Sequence, residues 1–110
     1  MSDNSYAKFF LGSILPTGVL RAPEMEEKFD QTIAKIRAAG FIWTYYGYCH
    51  GEMGDAISIE ETTVAEVEDP VEILALGHYP DRVRDLKEFL LKEFGIQDAK
   101  VGWYLAAVYN

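Results

Sequence analysis

Apolar residues crowd the first well-defined stretch of the chain. Tyr6 to Leu15 carries Phe9, Phe10, Leu11, Ile14 and Leu15, and that density over that length predicts a buried strand. Pro16-Thr17-Gly18 then predicts a turn. From Glu24 to Ala39 the period changes. Met25, Phe29, Ile33 and Ile36 fall on one face of a helix. Pro23 suits the first helical position, where its missing N–H costs nothing, and Gly40 supplies the stop.

Phe41 to Cys49 reads Phe-Ile-Trp-Thr-Tyr-Tyr-Gly-Tyr-Cys, an aromatic and β-branched run that predicts strand. Gly51-Glu-Met-Gly54-Asp predicts a turn. Ala56 to Val67 opens with the alternation Ile57, Ser58, Ile59, Glu60. The alternation slips near Thr62–Val64, which predicts a bulge or a break. Beyond Pro70, Val71 to Leu76 predicts another buried strand, with a short helix as the alternative. Asp81 to Phe94 predicts a second helix, with Val83, Leu86, Leu90 and Phe94 along one side, Asp81 as N-cap and Gly95 as its end. Val101 to Tyr109 predicts a last strand, with Val101, Trp103, Leu105 and Ala107 on one face. The order is β-α-β-β-(β)-α-β. It predicts one α+β domain over residues 1–110 on the ferredoxin-like, split β-α-β plan, an antiparallel sheet with two helices on one face.

Phe9-Phe10-Leu11-Gly12 followed by Pro16 and Gly18, Gly47 at the aromatic strand, and Phe94-Gly95-Ile96-Gln97 late in the chain resemble the pattern of a family of small bacterial domains of uncharacterised function. The resemblance implies a ferredoxin-like fold and no activity, and carries no functional residues. The chain departs from that family's pattern in the long acidic insertion around Glu60 to Asp69, and no secretion signal like that of many such domains is expected of it.

Both faces of the predicted strands are apolar. Phe41, Trp43 and Tyr45 oppose Ile42, Tyr46 and Tyr48. Val101, Trp103 and Leu105 oppose Tyr104, Ala106 and Val108. Helices on one side leave the other face open, and aromatic side chains of about 150–250 Å² each need cover. A second copy of the chain over the sheet face is the expected cover, giving a homodimer. A small ligand held by Trp43, Tyr46, Tyr48, Trp103 and Tyr104, or a curl of the strands within one chain, would also serve.

Charge sharpens the picture. The chain has a formal net charge of −8. No Lys or Arg lies between Arg37 and Arg82, and the 44 residues from Ala38 to Asp81 hold nine acids: Glu52, Asp55, Glu60, Glu61, Glu66, Glu68, Asp69, Glu72 and Asp81. The other 66 residues hold ten bases and nine acids. A field of that sign repels nucleic acid and anionic lipid and attracts basic surfaces. RNA stacking on the aromatic strand is therefore disfavoured, since no cation stands beside it to meet phosphates. No apolar run approaches the roughly 20 residues of a membrane span, and a single cysteine, Cys49, excludes an internal disulfide. A cytoplasmic protein is the expectation.

Candidate chemistry is sparse. Cys49, His50, Glu52 and Asp55 offer metal-ligating types, but adjacent strand residues point to opposite faces, and no second Cys or suitably spaced His completes a set. The same geometry denies Cys49 and His50 a nucleophile–base role. Gly47, Gly51 and Gly54 match no phosphate-cradle spacing. The acidic run lacks the ligand order of a calcium loop. His78, in the loop before the second helix, has no evident partner for base catalysis. No cofactor or metal is expected. The sequence points to a non-catalytic binding module whose acidic surface (Glu52, Asp55, Glu60, Glu61, Glu66, Glu68, Asp69, Glu72) docks on a basic protein, one form being an inhibitor of a nucleic-acid-handling protein. The alternatives are an oligomeric domain with an aromatic ligand pocket and a cofactor-free enzyme using His50 or His78.

Overall fold

Three strands gather on the first strand of the chain, and its length makes that possible. The computed structural model describes residues 6–16, 18–20, 23–47, 53–67 and 79–108. In chain order the elements are β1 (Tyr6–Ile14), a 3-10 segment (Pro23–Lys28), α1 (Phe29–Ala38), β2 (Phe41–Gly47), β3 (Met53–Ile59), a 3-10 turn (Glu60–Thr62), β4 (Val64–Val67), α2 (Pro80–Phe94) and β5 (Gly102–Val108). β1 is antiparallel to β5 along one edge, from Tyr6↔Val108 to Gly12↔Gly102. Along its other edge it meets β3 at Gly12 to Ile14 and β4 at Ala7 and Phe9. β2 and β3 form an antiparallel hairpin from Phe41↔Ile59 to Gly47↔Met53. The molecule is α+β, with an antiparallel sheet and two α-helices among the described residues, compatible with the split β-α-β plan.

The predicted break in the alternation is the 3-10 turn between β3 and β4. It diverts the chain from β1 just where Leu11 needs a hydrogen-bond acceptor. The Thr62 hydroxyl fills that place, accepting from the Leu11 N–H at 3.1 Å and donating to the Ile59 carbonyl at 2.7 Å. Thr63 Oγ1 lies 2.9 Å from Ser58 Oγ and donates to the same Ile59 carbonyl. Buried backbone groups at a sheet irregularity stay paired because side chains replace the ladder.

Both helices pack on one apolar cluster. Ile36 of α1 and Leu86 and Leu90 of α2 are fully buried there with Ile57 and Ile59, alongside Leu11, Leu15 and Phe41. α1 starts later than the spacing predicts, because Pro23–Lys28 is wound as 3-10 helix before α-helical geometry sets in at Phe29. α2 starts one residue earlier than expected. Tyr79 is its N-cap position and Pro80 its first turn, so Asp81 lies inside the first turn and does not cap. Its end is as predicted: Gly95 takes the left-handed conformation (φ 67°), and Gly95 and Ile96 return their N–H groups to Leu91 and Leu90. The turn expected at 51–55 is corrected in part. Gly54 and Asp55 belong to β3, in register with Tyr46 and Tyr45. Residues 51 and 52, and the strand or helix expected at Val71 to Leu76, lie outside the described residues.

The face away from the helices is partly enclosed by the chain. A parallel bridge, Gly47↔Val108, connects β2 to β5, so the pairings run β5–β1–β3–β2 and return to β5. The sheet coils towards a closed barrel. Inside lie Phe10, Ala56 and Ser58, each fully buried, with Thr44 and Ala106 nearly so. Tyr46, Tyr104 and Ile14 pack against them. Lys8 Nζ donates to Thr44 Oγ1 at 3.1 Å, from β1 to β2 with β3 between them. In a flat sheet those strands stand about 10 Å apart. Small residues permit the curl: Gly12, Gly54, Ala56, Ser58 and Ala106 line the concave side beneath the large rings, the size alternation by which small barrels fill their interiors. A methyl group on Gly12 would overlap the Ile57 carbonyl oxygen, and one on Gly54 would overlap the Tyr46 ring. The open sheet face expected from the sequence is therefore closed in large part by curvature.

Candidate functional site

The acidic segment is the feature the sequence singles out, and folding treats its carboxylates unequally. Asp55 is withdrawn from the surface. It is 7% exposed, and its Oδ1 accepts the Trp43 indole N–H at 2.7 Å. Its backbone carbonyl also takes the Leu15 N–H at 2.9 Å, extending the β1–β3 ladder by one rung. This corrects its assignment to an acidic docking surface: the alternation of β3 turns the side chain towards the helix-covered face.

Glu61 is on the surface but is not free. Arg82 Nε donates to Glu61 Oε2 at 2.8 Å and its Nη2 to Oε1 at 3.2 Å, a two-pronged pair. The same Nη2 reaches the Gly40 carbonyl at 2.7 Å, and the guanidinium lies 5.0 Å from the centre of the Phe41 ring. One side chain thus ties α2 to the end of α1, to the start of β2 and to the 3-10 turn. The hydrogen bonds from Arg82 hold the pKa of the Glu61 carboxyl below its ordinary value, with burial opposing them. Gly40, at φ +86°, leaves room for the guanidinium, since a side chain there would press on Nη2. Arg82 is the residue that ends the base-free stretch, and it folds back to neutralise one of that stretch's own acids.

Glu60, beside it on the same turn, is exposed. Asp81, at the start of α2, has an 80% exposed side chain and a contact of 3.4 Å to Arg84. Glu66 is placed as a residue of β4. Glu52, Glu68, Asp69 and Glu72 lie outside the described residues, as do Tyr48, Cys49, His50 and His78.

The aromatic set is divided between the two faces. Trp43 packs on the helix-side cluster, edge-on to Phe29 with ring centres 5.4 Å apart. Trp103 is on that side too, stacked on Phe9 at 5.2 Å. Tyr46 and Tyr104 belong to the concave side, where Tyr104 lies 6.0 Å from Phe10. The fold does not bring these four rings to one pocket. A cleft of about 310 Å³ lies elsewhere, between the end of α1 and α2, lined by Phe41, Arg82, Asp85, Glu88, Phe89 and Lys92. The sequence reading did not single it out. Among the described residues no group of three or more His, Cys, Asp and Glu is placed to hold a metal ion, and no helix is long and apolar enough to cross a membrane. Comparison with family models, with curated proteins and with solved structures finds no match.

Proposed function

We propose that this chain is a non-catalytic binding module of the ferredoxin-like plan, as its family resemblance implies, and that its acidic middle segment docks on a basic protein surface. The observation that carries this reading is the segregation of charge: nine acids and no base in the 44 residues from Ala38 to Asp81, against near neutrality elsewhere. Such a field accelerates encounter with a cationic partner and selects against anionic ones more than it adds affinity. It acts over about 8–10 Å at physiological salt, so carboxylates that point outwards carry it.

Asp55 is taken up by Trp43 and Glu61 by Arg82, so on this reading the contact falls to exposed Glu60 and to Glu52, Glu66, Glu68, Asp69 and Glu72 of the same acidic run. Nucleic acid and anionic membrane are not partners on this reading. An inhibitor that meets the basic site of a nucleic-acid-handling protein is its most specific form. The test is capture of partners on the wild-type chain, followed by association kinetics with Glu60→Lys, Glu66→Lys and Glu68→Lys combined. At low salt the association rate is expected to fall tenfold or more, with a flattened salt dependence. A rate indifferent to the three reversals overturns the reading.

A further inference from the structure

We propose that the chain forms a two-fold dimer by packing the outer face of β1 and β5 against the same face of a second copy. Alternation along the strands puts Ala7, Phe9 and Leu11 of β1 and Trp103, Leu105 and Ala107 of β5 on one side. Leu11 and Trp103 join the helix-side cluster there. Beyond them the cover thins. Ala7 and Phe9 are half-buried and Ala107 is exposed. Leu105 is 72% exposed, the most exposed large apolar side chain described, and it sits beside the stacked Phe9 and Trp103 rings. The contact uses the face of the two strands, so every ladder, the Gly47–Val108 bridge included, stays intact.

The order of sizes on that face names the occupant. In register across the two strands, Ala7 and Ala107 form a row of small residues, and Phe9 and Leu105 form the next row, of large ones. A two-fold axis lying in the interface and crossing both strands between these rows sets each row against the other row of the second copy. Leu105 then seats over Ala107 of the second copy, and Phe9 over its Ala7. The face is complementary to itself in reverse, as an isologous contact requires, and side chains of packed sheet faces interdigitate in this way. Charge agrees. Two copies of a chain with net charge −8 repel, so self-contact is favoured where charge is absent, and no residue of either row is charged. Lys8, between Ala7 and Phe9 in sequence, serves the opposite face, where it donates to Thr44. A basic partner finds no carboxylate in these rows, and nucleic acid finds no cation. The inference does not rest on the docking reading.

The experiment is sedimentation of the full chain across the micromolar range, with Leu105→Lys and, as control, Leu91→Lys. Leu91 is also an exposed leucine, at 51%, but lies on α2, and both substitutions change the net charge alike. Circular dichroism melts verify that each variant folds. The wild type and Leu91→Lys are expected to sediment as dimers. Leu105→Lys, which buries an unpaired ammonium group in the contact, is expected to dissociate at least about a hundredfold more readily. Ala107→Leu adds apolar surface, so a merely adhesive patch would bind better. Here it fills the hollow that receives Leu105, and is expected to weaken the dimer about tenfold or more. Combining Leu105→Ala with Ala107→Leu is expected to restore most of the affinity, because a large residue again faces a small one at each position. A monomeric wild type, a dimer that survives Leu105→Lys, equal dissociation of Leu91→Lys, a dimer that Ala107→Leu leaves unchanged or tightens, or a double variant as weak as Ala107→Leu each overturn the inference.

Discussion

The indole N–H of Trp43 reaches Asp55 on the neighbouring strand at 2.7 Å, across the diagonal of the β2–β3 hairpin and not to the residue directly opposite, which is Ile57. The bond converts an acid of the charged segment into part of the helix-side packing. Asp55→Ala leaves the indole donor short of an acceptor in a mostly buried setting and is expected to lower unfolding free energy by about 2–3 kcal/mol, while Asp55→Asn retains an acceptor oxygen and costs less, about 1 kcal/mol. Urea unfolding measures both. At matched folded fraction Asp55→Asn is expected to leave partner association unchanged, in contrast to the reversals at Glu60, Glu66 and Glu68.

The Arg82–Glu61 pair gives a pH signature. Glu61 has a lower pKa folded than unfolded, so its contribution is fully present above the unfolded value and is lost as pH falls through that value towards the folded one. Glu61→Gln removes the contribution. The stability gap between wild type and Glu61→Gln is therefore expected to be constant near neutrality and to close in acid, read from urea midpoints across that range. Glu61 is half exposed, so the gap is small. Arg82→Lys keeps the charge but loses the planar fork and the seat over Phe41, and is expected to cost roughly 1 kcal/mol.

At the break between β3 and β4, Thr62→Val keeps the shape and removes the hydroxyl that serves Leu11 and Ile59. The expected cost is about 1–3 kcal/mol, because the Leu11 N–H is left buried without an acceptor. Amide exchange at Leu11 is expected to accelerate ahead of its neighbours, and Thr62→Ser is expected to restore most of the protection.

Curvature is tested at Gly12. An alanine there places its methyl group on the Ile57 carbonyl oxygen, a backbone atom that moves only with the strand. Gly12→Ala is expected to cost about 3 kcal/mol or more. The change is expected to reach the Phe10 and Tyr104 ring resonances, because the barrel opens when β1 and β3 are forced apart.

Much of the fold was legible because it is written locally. The spacing of Phe29, Ile33 and Ile36, that of Leu86 and Leu90, the stop at Gly95 and the slip near Thr62 are patterns within a few residues, and each appears where expected. What was not legible depends on partners distant in the chain. Gly54 and Asp55 have turn composition, yet Tyr46 fills the space over Gly54 and Trp43 binds Asp55, so strand pairing overrides local preference. Counting aromatic residues by face left the concave side bare, because Gly12, Ala56 and Ser58 record the curl only once strands are paired. The acidic segment was visible as a total. Which of its acids are consumed inside the fold was not, since Arg82 lies 21 residues beyond Glu61.

β1 takes its longest row of partners from β5, the last described strand to be made. On the ribosome, residues such as Phe10 and Leu11 therefore emerge long before the strand that completes their shelter. Contacts of such long sequence separation slow folding, and an early strand waiting for a late one is exposed to aggregation in the interval. The nascent chain is expected to depend on holding chaperones until translation has passed Val108.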